Sequence, residues 1–204
     1  MLIDFSSLSP NRIYFSLIQT VIPRPIAWVL SGNDGGGFNL APFSYFNAVC
    51  SDPPLIMLSV GKKSDGSAKD TRSNILQRDA FVVHIPHVGQ AAQVNATSRE
   101  LPAGSSELDA LGLGTEPFGD FELPRLRDCR AALACRRFQV IELGPLPQAM
   151  ILGRVEAIYL DDAVARVDDS GRLQVDAAAL DPLSRLGGDE FSGLGEVFSI
   201  RRPR

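Results

Sequence analysis

Residues 24–54, RPIAWVLSGNDGGGFNLAPFSYFNAVCSDPP, decide the fold of this chain. The stretch opens on an apolar run of strand length at 25–30. A turn follows at 31–37, with Asn33-Asp34-Gly35 as its strongest signal. Small and polar residues at 39–51 then carry the aromatic side chains Phe43, Tyr45 and Phe46. Asp52-Pro53-Pro54 closes the stretch, because two missing donors cannot continue a central strand. Taken alone, this is a β-hairpin corner of a barrel.

Working outward, Ser9 caps a helix that starts at Pro10, carries Ile13, Phe15, Leu17 and Ile18 as its apolar side, and ends before Pro23. Residues 43–50 read as an irregular or bulged strand. LIMLSV at 55–60 reads as a strand buried on both faces. A polar loop at 61–67 leads to a helix capped by Asp70 that runs to about 77, with Ile75 and Leu76 facing the core. AFVVHI at 80–85 is a buried strand stopped by Pro86, and 88–96 is a short helix.

Residues 97–128 are rich in Gly, Pro, Ser and Glu, with one helical turn at 107–111. A loop of that length in a compact domain is usually functional or wraps another surface. Two long strands at 131–143 and 149–160 pair as a hairpin across Gly144-Pro145-Leu146-Pro147. In the second, Val155, Ala157 and Tyr159 share one face and Arg154 and Glu156 the other. Residues 161–176 form an acidic, solvated edge, 180–195 carry Leu183-Ser184-Arg185-Leu186-Gly187-Gly188, and 196–200 read as a last short strand. Strands outnumber the short, scattered helices, which points to a mainly β chain: a closed or partly closed β-barrel with helical crossovers.

Composition excludes several classes. The chain has 204 residues, 45% of them hydrophobic and 22% charged, which suits a single domain spanning 1–204. A net charge of −4 gives no basic face for nucleic acid, and Arg201, Arg202 and Arg204 read as a solvated tail. No apolar run approaches the roughly 18 residues needed to span a bilayer. The first dozen residues lack the pattern of a signal peptide, so a soluble cytoplasmic protein is expected.

Three cysteines argue against a disulfide framework. Cys50, Cys129 and Cys135 lack the tight pairs and nearby histidines of a zinc site, so no metal is expected. Gly35-Gly36-Gly37 has neither the spacing nor the following helix of a dinucleotide fingerprint. Ser31, Ser51 and Ser59 lack the context of a hydrolase nucleophile. His84, inside FVVHI, reads as a satisfied core residue and His87 as exposed.

Two clusters suit a flavin. Ser44 to Ser51, SYFNAVCS, offers small residues for close approach of a flat ring and donors for its polar edge. Lys69-Asp70-Thr71 opens a helix, where free N–H groups, a lysine and a hydroxyl make a phosphate site. Arg185, before Gly187-Gly188, reads equally as a turn arginine or as one that reaches a cofactor phosphate or a partner subunit.

The residues resemble a known family. Arg24 to Val29, Asn39 to Val49, and Ser51 to Leu55 look like the flavin reductase-like, flavoredoxin-type proteins. So do Lys69-Asp70-Thr71 with Asn74-Ile75, Phe81-Val82-Val83, Asn95-Ala96-Thr97-Ser98, and Leu183 to Gly188. These matches run in order along nearly the whole chain. The resemblance implies an FMN-binding split β-barrel working as a homodimer, with the flavin in a cleft near the subunit interface. It places the ring against Ser44, Asn47, Ala48, Val49, Cys50 and Ser51, and the phosphate near Lys69 and Thr71, with Arg185 contributing from either subunit. The family position of Cys50 is often serine, which removes a hydroxyl contact but not a backbone one.

The implied activity is that of a flavin reductase-type oxidoreductase. NADH or NADPH supplies electrons, and FMN passes them to free flavin, a partner monooxygenase or another acceptor. Hydride transfer needs no side-chain acid or base, and no catalytic residue is assigned. A flavoredoxin-like electron carrier reduced by a partner and a non-catalytic FMN-binding protein are the alternatives.

Overall fold

The computed structural model describes residues 1–102, 105–144, 147–201 and 203. Helix α1 is Pro10–Thr20, and β1 is Arg24–Pro25. Strands β2 (Ala27–Gly32), β3 (Phe38–Phe43), β4 (Phe46–Ser51) and β5 (Pro54–Val60) follow. Next come α2 (Asp70–Arg78), β6 (Ala80–Ile85), α3 (Ala91–Ala96), α4 (Glu107–Leu111), β7 (Thr115–Phe118) and β8 (Phe121–Leu126). The long pair β9 (Ala131–Glu142) and β10 (Ala149–Leu160) precedes β11 (Ala165–Val167), β12 (Leu173–Val175), α5 (Ala177–Leu180), β13 (Ser184–Arg185) and β14 (Phe191–Ser192).

Seven strands form one antiparallel sheet in the order β3-β2-β6-β9-β10-β5-β4. Its two edge strands, β3 and β4, are separated in sequence only by Ser44 and Tyr45. A sheet whose edges are two residues apart in sequence must curl until those edges meet, so the sheet is a barrel whose seam runs through Ser44-Tyr45. At the seam, Tyr45 O accepts from Ser59 N at 2.9 Å, which carries the β4–β5 ladder one residue further.

The two sides of the barrel wall have separate cores. Ala27, Val29, Ile56, Leu58, Val60, Phe81, Val83, Cys135 and Ile151 fill the interior, and Ile75 of α2 joins them. Their neighbours along the same strands face outward: Trp28, Leu30, Val82, Ala132 and Ala134 pack beneath Val94, Leu108, Phe118, Leu123 and Leu126. Thus β2, β6 and the first half of β9 (residues 131–135) are covered on both faces, as continuous apolar strands require.

The 97–128 segment supplies much of this outer cover. Beyond α4 it folds into the hairpin β7–β8, which the sequence reading did not anticipate. Strand β5 is a correction in the other direction. Ile56, Leu58 and Val60 are buried, but Met57 and Ser59 are only partly covered, because no outer layer reaches this strand.

Other elements also depart from expectation. Lys69, not Asp70, is the N-cap residue of α2, and it makes no side-chain cap bond. Leu76 is exposed, although Ile75 is buried as expected. Along α1 only Ile18 is buried; Phe15 and Leu17 lie on an open face. A register shift at Glu156 turns the end of β10 over, so Val155 packs into the interior cluster and Tyr159 into the outer one.

Residues 196–200 pair with nothing among the described residues, and Val197, Phe198 and Ile200 stand in solvent. The acidic 161–176 edge contains the small β11–β12 hairpin. The β9–β10 pairing is as expected, while Pro145 and Leu146 of its connection, and Arg202 and Arg204 of the basic tail, lie outside the described residues. No helix among the described residues is long and apolar enough to cross a membrane.

Candidate functional site

Strand β3 forms the floor of a trough with a larger and a smaller cleft. The larger, about 260 Å³, lies over Pro42, Phe43 and Ser44 and is walled by Tyr14, Asn95, Ser98, Arg185 and Phe191. The smaller lies over Asn39 and Ala41, between the start of α2 and residues 97–101. Ser98 borders both, so the two clefts adjoin. From Asn39 to Ser44 the floor is five residue steps long, roughly 17 Å at about 3.4 Å per step.

Arg24 fixes the Ser44 end. It is buried, and no carboxylate among the described residues pairs with it. Its Nη1 donates to Ile18 O at 2.6 Å and Val21 O at 2.7 Å, and its Nη2 to Leu186 O at 2.7 Å. The carbonyl end of α1 carries partial negative charge, so a guanidinium is stabilised there. A fourth donor, Nε, reaches Ser44 Oγ at 3.5 Å. One arginine thereby ties α1, the seam of the barrel and the 186–190 turn together.

Arg185 lies opposite Arg24 in the β1–β13 pair. Its guanidinium carbon is 4.4 Å from the centre of the Phe191 ring, and Nη2 donates to Gly188 O at 2.6 Å. The adjacent glycines have structural reasons. A Cβ on Gly187 would sit 2.0 Å from Gln19 Oε1 of α1, and Gly188 has φ of 56°.

At the other end, Lys69, Asp70 and Thr71 open α2. The first amides of a helix have no acceptor within it. Thr71 is buried, and its Oγ1 accepts from Asn39 Nδ2 at 2.8 Å, leaving the hydroxyl proton free to be donated. Lys63 Nζ donates to Asp70 Oδ1 at 2.6 Å. Glu107 is buried at the base of the small cleft, its Oε2 accepting from Leu40 N at 3.0 Å, and burial raises its pKa. Trp28 Nε1 donates to Thr97 Oγ1 at 2.8 Å, which anchors the segment leading to Ser98.

The structure therefore brings Ser44 and Arg185 together in the larger cleft and Lys69 and Thr71 together in the smaller one. Asn47, Ala48, Val49, Cys50 and Ser51 line neither; they form the exposed strand β4, bulged between Ala48 and Cys50. Cys50 Sγ donates to Pro53 O at 3.1 Å from an exposed position. Cys129 and Cys135 are buried on opposite faces of the wall, and burial pushes the Cys129 thiol up to about 12.

His84 is wholly buried, with Nδ1 3.0 Å from Trp28 O and Nε2 accepting from Leu126 N at 2.8 Å. Burial pulls its pKa down to about 4, so it is neutral and structural. His87 is partly covered rather than exposed, and it caps the short turn at Val88–Gln90.

Sequence reasoning missed Tyr14, Asn39, Asn95, Ser98 and Phe191 as wall residues. Asn95 and Ser98 were at hand in the Asn95-Ala96-Thr97-Ser98 motif. Tyr14 and Phe191 carried no local signal, because each enters the cleft from a distant element. Chemically, the trough suits an extended ligand, anionic at the α2 end and flat at the Ser44 end.

Residues 19–173 match the family described as the flavin reductase like domain. The chain is similar to nitrilotriacetate monooxygenase component B from Bacillus cereus, with 32% identity, a TM-score of 0.89 and 98% of each chain covered. It is also similar to the 2-nitrobenzoate 2-nitroreductase NbaA of Pseudomonas fluorescens, with 28% identity, a TM-score of 0.87, and 100% of this chain and 96% of that one covered. A Shewanella frigidimarina NCIMB 400 protein with a split barrel domain shares the fold at 19% identity and a TM-score of 0.83, covering 99% of this chain and 100% of that one.

Proposed function

This chain belongs to the flavin reductase like family, and from that premise we propose that it is an FMN-binding oxidoreductase. In this reading residues 1–204 form one FMN-binding domain, which works as a cytoplasmic homodimer. Electrons come from NADH or NADPH and leave to free flavin, a partner monooxygenase or another acceptor. The similarity to a monooxygenase component and to a nitroreductase supports acceptors outside the chain.

The observation that carries the reading is the pair of adjoining clefts along β3, with Ser98 between them. Its ends differ in the sense a flavin mononucleotide requires: an ammonium, a hydroxyl and helix amides at Lys69 and Thr71, and the aromatic rings of Tyr14 and Phe191 among polar groups beside Ser44. When bound, FMN supplies the two-electron chemistry. Lys69, the first amides of α2 and the Thr71 hydroxyl hold the phosphate. Ser44, oriented by Arg24, donates to the ring edge, and Arg185 stacks beside it.

Strand β4 contributes Asn47 to Ser51 as an exposed surface beside the seam. That exposure, with the apolar residues Val49 on β4 and Phe15 on α1, supports a site completed by a second copy of the chain. No residue of the trough is assigned a proton transfer, and none is needed.

The test is an anaerobic titration of the purified, FMN-loaded protein with NADH and then NADPH. Loss of the oxidised flavin absorbance with one of them supports the reductase and names its donor. Flavin that stays oxidised with both, yet is reduced by a protein partner, favours an electron carrier.

A further inference from the structure

The small cleft already contains an anion. Glu100, on the 97–102 segment, accepts from Ser64 N at 3.0 and 3.3 Å and from Ser64 Oγ at 2.5 Å. Its Oε1 lies 3.9 Å from Lys69 Nζ. The carboxylate thus bridges the 61–67 loop and the start of α2, where the proposed phosphate contact is.

The charges around it decide what a second anion would meet. Lys63 is held at 2.6 Å by Asp70. Lys63, Lys69 and Arg99 line the cleft against Asp70, Glu100 and Glu107, three cations facing three carboxylates. That rim has no net positive excess, and a phosphate reaching Lys69 meets the Glu100 carboxylate at the same ammonium.

We infer that Glu100 is an internal competitor for the phosphate at Lys69, which keeps the cofactor exchangeable rather than fixed. The inference rests on the FMN reading above. Glu100 swings off Lys69 when the phosphate arrives and returns when it leaves, so the Ser64–Glu100 bridge is the element that opens and closes. Removing its charge lets the phosphate be held without displacing an anion.

The test compares FMN and riboflavin, which lacks the phosphate, by fluorescence titration of wild type, Glu100→Gln and Asp162→Asn. Glutamine keeps an acceptor for Ser64 and loses the charge; Asp162 lines neither cleft and controls for net charge. Glu100→Gln should bind FMN about fivefold tighter, the scale of an exposed ion pair, with riboflavin and Asp162→Asn unchanged. FMN affinity that stays equal or falls in Glu100→Gln overturns the inference, as does a gain shared by riboflavin. If flavin binds to no variant, the FMN reading falls and inorganic phosphate decides the inference alone. A larger rise in the unfolding midpoint of Glu100→Gln than of wild type with added phosphate supports it; an equal rise, or none, overturns it.

Discussion

Trp28 and Thr97 join the barrel wall to the rim of both clefts through one buried hydrogen bond, indole Nε1 to hydroxyl Oγ1 at 2.8 Å. The same hydroxyl donates to Val94 O at 3.0 Å, so it also closes the end of α3. Trp28→Phe deletes the donor and leaves part of the indole volume empty. It should cost about 2 kcal/mol in urea unfolding and weaken flavin binding through the loosened Ser98. Unchanged stability would mean that the bond does not hold the rim.

Arg24 is the corresponding tie at the seam. Arg24→Met strips donors from Ile18 O, Val21 O and Leu186 O at once and should destabilise the fold by about 3 kcal/mol. Arg24→Lys keeps a charge but cannot reproduce the fork, so it should recover only part of that loss. Equal stability of lysine variant and wild type would contradict the geometry.

His84 gives the fold a pH dependence with a definite sign. Its folded pKa, about 4, lies below the unfolded value of 6.5, so the unfolded chain takes up the proton first. Stability from this group is complete above pH 6.5 and falls as pH drops toward about 4, by roughly 3 kcal/mol across the window. Urea midpoints measured from pH 7 to 4.5 should fall less steeply for His84→Asn than for wild type. Parallel slopes would show that the histidine does not contribute.

Gly153 on β10 faces the Phe81 ring inside the barrel: a Cβ there would lie 2.4 Å from Phe81 Cζ. Gly153→Ala should cost about 2 kcal/mol by overpacking, and adding Phe81→Leu should return part of it. A double variant no better than Gly153→Ala would place the strain elsewhere.

Lys69→Met tests the phosphate end of the trough. It should weaken FMN about tenfold, as loss of a charge-assisted contact does, and leave riboflavin unaffected in the same fluorescence titration. Equal losses for both ligands would put the lysine elsewhere on the flavin.

Much of the barrel was legible because residues 25–30 are apolar throughout and 80–85 are apolar but for the buried His84, and only strands covered on both faces need that. The β7–β8 hairpin was hidden by Pro117 and Pro124, which argue against strands in sequence but are tolerated in a two-stranded ribbon with a register shift. The face switch at Glu156 is a bulge, and alternation counted from Arg154 onward cannot reveal one. Residues 196–200 have strand composition but no partner strand among the described residues, and composition alone cannot supply one. At the site, the Ser44 to Ser51 and Lys69 to Thr71 clusters were legible as motifs. Their joining into one trough was not, since Tyr14, Asn95 and Phe191 arrive from elements far apart in sequence.

The most direct test of the central claim is a visible absorption spectrum of the purified protein reconstituted with FMN, recorded anaerobically before and after NADH and then NADPH. The account predicts a bound flavin spectrum that bleaches with one of the two. A protein that fails to bind added FMN would contradict it.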